Sequence, residues 1–376
     1  MKKVQIGVMG AGWWGTFAHI PAVKSHPDAE LLAVQNPHPA SARNIARDFG
    51  AKHAFADIEE LLALKELDAV IVASTPNAHY AQARAALKRG LHVLIEKPMT
   101  FTVKEARELV GIAARKKVQL LVSCPWHFTA HGLEARRLIQ SGALGQIKMI
   151  SILMTNPLDK LLRGVNTSPT HGMDNVYIEP CKGSYNDPAI AGGGQIYCQV
   201  SHAAAYLTFL TGRRPVEVYA RFDFDGCVND LYNALTVTLE GGTLASVAST
   251  GVTPLSERHY EVRIFGTKAI LQLELWRGTM ALTDFADKRV EFPPLTKDEI
   301  YPGRAPALNF IETILRRASN GSPGELGLAS MEIIEAACKS VRNNRREIIR
   351  PLKALDPGAP AMIHRRGLKR TVQPSL

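Results

Sequence analysis

The stretch VQIGVMGAGWWG, residues 4–15, decides the fold of the N-terminal part of this 376-residue chain. Residues 4–9 form an apolar run that predicts a buried strand. A G-x-G-x-x-G pattern follows, in which Gly10 permits a tight turn, Gly12 lets backbone N–H groups approach a pyrophosphate, and Gly15 lets the next helix pack on the strand. Since an anion bound there meets the positive end of that helix, the segment predicts a dinucleotide-binding site.

Short apolar runs alternate with helical patterns as far as residue 125. We predict strands at 4–9, 31–34, 69–73, 93–95 and 120–122, and helices at 13–25, 40–49, 77–89 and 103–116. Such alternation is typical of a parallel sheet covered by helices on both faces. Residues 1–125 are therefore predicted to form a doubly wound α/β domain of the Rossmann type, which begins with a strand rather than a secretion signal.

Strands in direct succession replace this pattern after Gly142. We predict strands at 147–154, 216–224, 231–240, 243–250, 259–265 and 269–275, and helices at 199–211, 305–319 and 325–343. Strands joined directly by turns form antiparallel sheets. We therefore predict an α+β domain with a large, mainly antiparallel sheet over residues 126–345, followed by a basic C-terminal tail over 346–376.

The composition is that of a globular protein, with 46% apolar and 21% charged residues. Five cysteines without a C-x-x-C pair, and no apolar run as long as a membrane span, predict a reduced, cytoplasmic protein without membrane contact. The net charge of +10 could indicate nucleic acid binding, but residues 339–376 alone hold ten basic and two acidic residues. A basic tail without interleaved aromatic residues favours subunit contacts or solubility over nucleic acid.

The end of the second predicted strand bears on which dinucleotide binds. The position where an acidic residue would hydrogen-bond the adenosine ribose holds Asn36. Asparagine can bond a ribose hydroxyl, but it does not repel a 2′-phosphate as a carboxylate would, and His38 and Arg43 lie nearby. The cofactor is therefore predicted to be NAD or NADP, with NAD preferred.

Polar residues stand where two further strands end, on the edge at which open α/β sheets bind ligands. The strand 93–95 is followed by Glu96 and Lys97, and the strand 69–73 by STPNAH at 74–79. Lys97 lies where a nicotinamide and its substrate would meet, or it faces water as most lysines do. The second segment contacts the dinucleotide, or it caps the following helix.

Together these motifs resemble the glucose–fructose oxidoreductase, inositol dehydrogenase and rhizopine catabolism (Gfo/Idh/MocA) family. They are GAGWWG at 10–15, TPN at 75–77, EKP at 96–98, SGALG at 141–145, and GGG at 192–194 followed by His202. The match in this order covers residues 1–345, and only the tail lacks a counterpart. The resemblance implies NAD(P)-dependent hydride transfer from a secondary hydroxyl of a sugar, sugar derivative or cyclitol. It also implies a C-terminal domain that binds substrate and forms homodimers or homotetramers through its sheet.

The resemblance further implies roles for two residues. Lys97 takes the place of the active-site lysine, before a proline that often follows a cis peptide bond. His202 takes the place of the catalytic histidine, which accepts the proton of the substrate hydroxyl while Lys97 stabilises the charge on the same oxygen. Without the resemblance, a lone helical histidine would be interpreted as structural.

The sequence departs from the family pattern four residues before His202. Many members carry an aspartate there, on the same helix face, whereas this chain has Cys198. A thiol is a poor substitute for a carboxylate that orients or charges an imidazole. Either Gln199, Tyr197 or a loop residue takes over this role, or the substrate is not a simple polyol. Nothing in the neighbouring sequence indicates a thiolate nucleophile at Cys198.

Two other segments contribute candidate residues. The family commonly has an arginine or asparagine near the nicotinamide where this chain has Trp126 and His127. His127 and His131 have the spacing of a metal pair, but no third ligand follows at a usual spacing, so no metal site is predicted. The loop 155–191 suits a polyhydroxylated ligand, or it is a polar surface loop. Its donors and acceptors are Lys160, Arg163, Asn166, His171, Asp174, Tyr185, Asn186 and Asp187.

The predicted site residues fall into three sets. The catalytic set is Lys97 and His202. The cofactor-binding set is Gly10, Gly12, Trp13, Trp14, Gly15, Asn36, Ser74, Thr75, Pro76, Asn77, His79, Glu96, Lys97, Trp126 and His127. The substrate-binding set is Lys97, His127, Lys160, Arg163, Tyr185, Asp187, Cys198, Gln199 and His202.

Two alternative functions stay open. Some proteins that resemble this family are NAD-dependent glycosidases, which oxidise a sugar hydroxyl transiently, eliminate the aglycone and re-reduce the product. The missing aspartate keeps this alternative open. The other alternative is a non-catalytic dinucleotide-binding sensor, and the presence of both Lys97 and His202 argues against it. Net reduction of NAD(P) by a free sugar, or release of an aglycone without net reduction, discriminates the two enzymes.

Overall fold

Two β-sheets, one of six strands and one of nine, organise the chain in the computed structural model, which describes residues 3–165, 176–179 and 183–350. The strands of the first sheet are β1 Val4–Met9, β2 Ala29–Gln35, β3 His53–Phe55, β4 Ala69–Val72, β5 His92–Ile95 and β6 Leu120–Val122. They are parallel and lie in the order β3-β2-β1-β4-β5-β6, which is the doubly wound Rossmann order.

The strands of the second sheet are mostly antiparallel, apart from the parallel pair β7 and β10. In chain order they are β7 Ile147–Thr155, β8 Pro215–Asp223, β9 Tyr232–Leu239, β10 Thr243–Thr250, β11 His259–Gly266, β12 Ala269–Glu274, β13 Thr279–Asp284, β14 Arg289–Glu291 and β15 Glu347–Ile348. They lie in the order β14-β13-β12-β11-β7-β10-β9-β8-β15. Buried and exposed residues alternate along β9 and β10, because one face is packed and the other is open.

Helices cover both faces of the first sheet and the packed face of the second. They are α1 Ile20–Ser25, α2 Pro39–Phe49, α3 Ile58–Leu62, α4 Pro76–Lys88, α5 Val103–Lys116, α6 Ala130–Gln140, α7 Asp159–Leu162, α8 Pro188–Ala191, α9 Ser201–Thr211, α10 Ala305–Ile314 and α11 Gly324–Asn343. α9 and α11 pack on each other, and α11 lies against β8. Among the residues described, no helix is both long and apolar enough to cross a membrane.

The central strand β1 places the glycine turn. All its residues are buried, because β1 lies between β2 and β4. The chain passes from β1 to β2 on one side and later to β4 on the other, so the strand order reverses between β1 and β4. In such sheets the ligand crevice lies at this reversal, outside the carboxyl ends of the strands.

The predicted fold class is confirmed, and every predicted strand occurs within two residues of its predicted ends. Four strands were not predicted: β3, β13, β14 and β15. β3 and β15 are only three and two residues long, and β14 is wholly exposed, so these three strands carry no strong apolar pattern. The predicted helix 13–25 is helical throughout, with a π-helical turn, Gly15–His19, before α1.

The predicted domain boundaries stay a prediction. The helix α10, far along the chain, returns to the first sheet. Its Ala307, Phe310 and Ile311 belong to the same buried apolar cluster as residues of β1 and β2. α11 packs on α5 as well as on β8, so the C-terminal helices contact elements of both sheets. The predicted helix 305–319 ends earlier, at Ile314, and Arg316 has a left-handed φ of 59°.

Candidate active site

A cavity of about 800 Å³ lies at the carboxyl ends of β1, β2, β4 and β5 and reaches residues next to strands of the second sheet, such as Asn156, Arg258 and Trp276. This volume lies in the range of small-molecule sites. The structure brings most of the predicted site residues to its wall. They are Gly10, Gly12, Trp13, Trp14, Asn36, Ser74, Thr75, Pro76, His79, Glu96, Lys97, Trp126, Tyr185, Cys198, Gln199 and His202.

The glycine turn after β1 fits a bound pyrophosphate. Gly10 has φ +66°, and a Cβ there would lie 2.3 Å from the Cα of Ser74, so only glycine can occupy this position. A Cβ on Gly12 would meet only the carbonyl oxygen of Gly10, at 3.7 Å, so the space beside this turn is open. Gly15 does not line the cavity. Gly15 packs against the end of β4 instead, since a Cβ on Gly15 would lie 3.5 Å from the Cβ of Ala73.

Asn36 stabilises this turn from the end of β2. Its side-chain amide donates a hydrogen bond to the carbonyl oxygen of Ala11 at 3.0 Å, and its Oδ1 accepts one from the backbone N–H of His38 at 3.0 Å. Both polar groups of the side chain are therefore engaged within the protein. The cavity wall continues here through Pro37, His38 and Ser41, and none of these carries a carboxylate.

Lys97 follows β5 and contacts a segment distant in sequence. Its Nζ donates a hydrogen bond to the backbone carbonyl oxygen of Cys198 at 2.8 Å. The Lys97–Pro98 peptide bond is cis, as the resemblance implied. The preceding Glu96 is buried and shares a 2.7 Å hydrogen bond with the His19 ring. Burial by itself raises the pKa of Glu96, but the hydrogen bond from His19 and the neighbouring charges lower it overall, so this carboxyl is ionised.

His202 lies in the first turn of α9 and is buried. Its Nδ1 has no hydrogen-bond partner within the described ranges, and its ring meets Trp126 edge-on, with centroids 4.9 Å apart. Burial, the charge of Lys97 and the nearby His127 hold the pKa of His202 well below its usual value. The imidazole is therefore uncharged at neutral pH and available to accept a proton.

Cys198 and its neighbours show what occupies the place of the family aspartate. Burial raises the pKa of the Cys198 thiol, which is the opposite of what a thiolate nucleophile needs. Tyr197 donates its hydroxyl to the carbonyl oxygen of Phe101 at 3.2 Å, so it does not reach His202 as an orienting group. Gln199 accepts a 3.3 Å hydrogen bond from the Asn156 amide. Both named substitutes line the cavity, and within the described ranges neither hydrogen-bonds His202.

Asp230 anchors the segment that carries Cys198 and His202. Its carboxylate accepts hydrogen bonds from the backbone N–H groups of Gly194 at 3.0 Å and Ile196 at 2.7 Å, and from the Asn233 amide at 2.9 Å. A Cβ on Gly194 would lie 2.2 Å from the carbonyl oxygen of Asp230, so the close approach requires glycine. The π-helical segment Ile196–Val200 starts at this anchor and runs into α9.

Aromatic residues close the cavity opposite the first sheet. Trp126, Trp276 and Tyr301 are in mutual contact, with ring centroids 4.7 to 5.4 Å apart. The guanidinium of Arg258 lies 3.3 Å from the Trp276 centroid. Trp276 and Tyr301 are stacked and Trp126 meets both edge-on, and this aromatic wall suits the ring carbons of a sugar or a cyclitol.

His127 does not line the cavity, contrary to the prediction. Its ring stacks on Phe209 at a centroid distance of 4.4 Å, and its Nδ1 hydrogen-bonds with the Ser322 hydroxyl at 2.9 Å. Burial and the nearby Arg136 lower the pKa of His127 to about 3. His131 instead bonds the carbonyl oxygen of Pro293 at 2.9 Å, so the two histidines engage different partners.

Several other predicted residues also lie off the cavity wall. Asn77 accepts a hydrogen bond from Thr75, and Asp187 caps α8 by accepting from the Ala189 N–H. Lys160 is exposed, and Arg163 forms ion pairs with two aspartates, Asp159 and Asp225. Of the named loop residues, Tyr185 lines the cavity. Asn166, His171 and Asp174 lie outside the described residues.

Sequence reasoning missed Arg258, Trp276, Tyr301 and Asp230. None belongs to a motif, and each reaches its place through contacts between distant segments. Asp230, for example, accepts from an amide 34 residues earlier. The one available signal concerns Asp230, a carboxylate directly before the predicted strand 231–240. Its position there could have indicated a structural role.

Comparison with known proteins assigns the chain to a family. Residues 4–124 match the family model described as "Oxidoreductase family, NAD-binding Rossmann fold", and residues 133–272 match the "GFO/IDH/MocA C-terminal domain". The chain belongs to the Gfo/Idh/MocA family of oxidoreductases, and its N-terminal part is an NAD-binding Rossmann fold.

Individual relatives agree with this assignment. An uncharacterized oxidoreductase of Synechocystis is 32% identical over 56% of this chain, and the match spans only about half (52%) of that protein. Inositol 2-dehydrogenase of Rhizobium meliloti is 24% identical over 91% of this chain and 98% of its own length. The solved structure of a levoglucosan dehydrogenase with NADH and levoglucosan superposes with a TM-score of 0.80 at 18% identity, covering 93% of this chain and 100% of that one.

Proposed function

We propose that the protein is an NAD(P)-dependent dehydrogenase that oxidises a secondary hydroxyl of a sugar, sugar derivative or cyclitol. The observation that carries the proposal is that Lys97 and His202 line one cavity together with the glycine turn. The relative named inositol 2-dehydrogenase supports a cyclitol or sugar substrate, since it aligns over nearly the whole chain.

Different residues of the cavity bind the cofactor, stabilise charge on the substrate oxygen and accept its proton. NAD, when bound, supplies the hydride acceptor. The N–H groups of Gly10 and Gly12 already donate to the Gln35 side chain and to the Gly10 carbonyl oxygen. The first N–H groups of the helix that starts at Trp13 would therefore bind the phosphates. The Lys97 ammonium donates a hydrogen bond to the substrate oxygen in place of the Cys198 carbonyl, and it stabilises the negative charge that develops there. The uncharged His202 accepts the hydroxyl proton, and its low pKa means that it holds this proton only transiently.

The adenosine end supports both forms of the cofactor. Asn36 takes the place of the usual carboxylate, so a 2′-phosphate meets no negative charge from this residue. His38, on the same wall, is a possible donor to that phosphate. We propose NAD as the working cofactor, with NADP accepted.

We also propose that the protein is a homo-oligomer through the open face of the second sheet. Large apolar or aromatic side chains on this face are exposed: Met149, Leu153, Tyr219, Tyr232 and Leu244. Such a patch is typical of a subunit interface. Sedimentation of the wild-type protein should give the mass of a dimer or a tetramer. Leu244→Glu should lower the measured mass of the assembly, because it places a charge in the interface. A monomeric wild-type protein would contradict the proposal.

We propose the cytoplasm as its compartment. The four cysteines in the described part of the chain, Cys124, Cys198, Cys227 and Cys338, are free. Free thiols are typical of reducing compartments. A fluorescent fusion that gave a surface or periplasmic signal in its host would contradict this proposal.

A substrate screen tests the proposed reaction. Sugars, cyclitols and aryl glycosides are each incubated with NAD and with NADP, and both reduced cofactor and free aglycone are followed by absorbance. We expect reduced cofactor to accumulate with a free sugar or cyclitol. Aglycone release without net reduction would identify a glycosidase, and cofactor binding without either product would identify a sensor.

A further inference from the structure

Arg258 is a cation in the cavity without an acidic partner among the described residues. Its guanidinium lies over the Trp276 ring, 3.3 Å from the centroid, and its Nε donates to the Asn156 Oδ1 at 3.1 Å. Arg258, Trp276 and Asn156 all line the cavity. Within the described ranges no carboxylate pairs with it. The nearby Glu257 and Glu274 pair instead with a histidine and another arginine, His259 and Arg277.

Arg258 is half-buried. A charge held partly out of water without a counter-charge is costly, so its presence needs a reason. Burial lowers the pKa of Arg258 to about 10, which still leaves it positive at neutral pH. The guanidinium has five N–H donors in a planar fork that matches carboxylate and phosphate oxygens. Its one hydrogen bond to the described residues uses Nε, which leaves the terminal N–H groups for a ligand.

Arg258 belongs to the same wall as the proposed catalytic lysine. Asn156, which accepts from Arg258, donates to Gln199 at 3.3 Å. Gln199 follows Cys198, whose carbonyl oxygen accepts from Lys97. A ligand that reaches Lys97 along this wall therefore passes Arg258.

The charge balance of the cavity favours an anionic ligand at this end. Among the described residues, the carboxylates that line the cavity are Glu96 and Glu179. Glu96 is hydrogen-bonded to His19 and directly precedes Lys97. Glu179 is two residues from Tyr177, which donates to Asp48 in α2 and so marks the adenosine end. Two cations, Lys97 and Arg258, against the one carboxylate of Glu96 therefore give the described part of the substrate end a net positive charge.

We infer that the substrate carries an anionic group, a carboxylate or a phosphate ester, which Arg258 binds while a hydroxyl of the same molecule meets Lys97 and His202. This inference rests on the proposed function and narrows its substrates to acidic sugars or sugar phosphates. Trp276 backs the guanidinium plane, so the fork is already oriented for a bidentate contact.

Matched substrates test the inference and separate the two anions. The values of kcat/KM for glucuronate and for glucose 6-phosphate are compared with that for glucose, and galacturonate with galactose. We expect kcat/KM for one of the two anionic classes to exceed kcat/KM for its neutral counterpart by about 10- to 100-fold, as is typical of a hydrogen-bonded charge pair. Arg258→Gln should bring this ratio close to one, mainly through KM, and Arg258→Lys should keep part of it because the charge is retained.

Arg277→Gln is the matched control, since Arg277 lies beside Trp276 in sequence but is exposed, and it should leave the ratio unchanged. NAD affinity and thermal melting report whether each variant is folded. A wild-type protein that prefers neutral sugars, or an Arg258→Gln variant that keeps the anion preference, would overturn the inference while the proposed function stands. No cofactor reduction with any sugar would overturn the proposed function, and the inference with it.

Discussion

The ammonium group of Lys97 donates a 2.8 Å hydrogen bond to the backbone carbonyl oxygen of Cys198. This bond ties the end of β5 to the π-helical segment Ile196–Val200, which leads into α9 and His202. It therefore fixes the ammonium close to the imidazole, and its charge contributes to the lowered pKa of His202. A substrate oxygen that replaces the carbonyl would meet both groups.

Lys97→Met should lower kcat by about 100- to 1,000-fold, because it removes a preorganised charge from the oxygen that becomes negative. NAD affinity should change little, since the glycine turn is intact. Steady-state kinetics and a fluorescence titration with NADH measure the two quantities. Lys104→Met, at an exposed position on α5, is the control. A variant with wild-type kcat would refute the role of Lys97.

Cys198→Asp should restore the carboxylate that many family members carry four residues before the histidine. A carboxylate near His202 favours the imidazolium, so the pKa of His202 should rise toward its usual value. The acid limb of the kcat/KM profile should then move to higher pH than in the wild-type protein. Cys198→Ser, which adds no charge, should leave the limb in place. An identical profile for Asp and Ser would show that residue 198 does not act on His202.

Asp230→Asn should impair the site without touching the substrate. Asparagine keeps one acceptor oxygen but loses the second, so either the Gly194 or the Ile196 N–H is left without its partner. An unsatisfied buried amide costs about 1–3 kcal/mol in the free energy of unfolding. As a positioning residue, Asp230 should also affect kcat more than KM. Asp298→Asn, on the surface, is the control. Loss of stability with unchanged kcat would make Asp230 purely structural.

His127 should make the protein sensitive to acid. Its pKa is about 3 when folded, and about 6.5 in an unfolded chain. Between these values the unfolded state binds the proton and the folded state does not, so stability falls as pH falls below about 6.5. Between about pH 7.5 and pH 5, this residue should contribute a loss of about 2 kcal/mol.

Urea unfolding of the wild type and of His127→Asn at these two pH values measures that contribution. The variant should be less stable at neutral pH but should lose about 2 kcal/mol less on acidification. His53→Asn, at an exposed position, should lose as much as the wild type. An equal loss in the His127 variant would mean that this histidine does not carry the effect.

Much of the fold follows from local pattern, because strand periodicity and the glycine turn act within a few residues. The strands around β1 and the turn at Gly10 were predicted on this basis, and the structure confirms them. β14 was not predicted, because an exposed edge strand needs no apolar alternation. The π-helical turns at Gly15–His19 and Ile196–Val200 also leave no mark in the hydrophobic pattern.

The site residues also separate into those that local motifs predict and those that only the structure shows. Lys97 and His202 were predicted from motifs, and they do line one cavity. His127 was predicted to line the cavity, but it is stacked on Phe209 in the interior. Trp126, the residue before it, lines the cavity instead. Arg258 is found only from the structure, because its partners, Asn156 after β7 and Trp276 after β12, are distant from each other in sequence.

The most direct test of the account is a crystal structure of the protein with NADH and its best substrate or a close analogue. One hydroxyl oxygen of the ligand should lie about 3 Å from both the Lys97 Nζ and a ring nitrogen of His202, with its carbon facing the nicotinamide. A ligand whose hydroxyls reach neither group, with Lys97 still bound to the Cys198 carbonyl, would contradict the account.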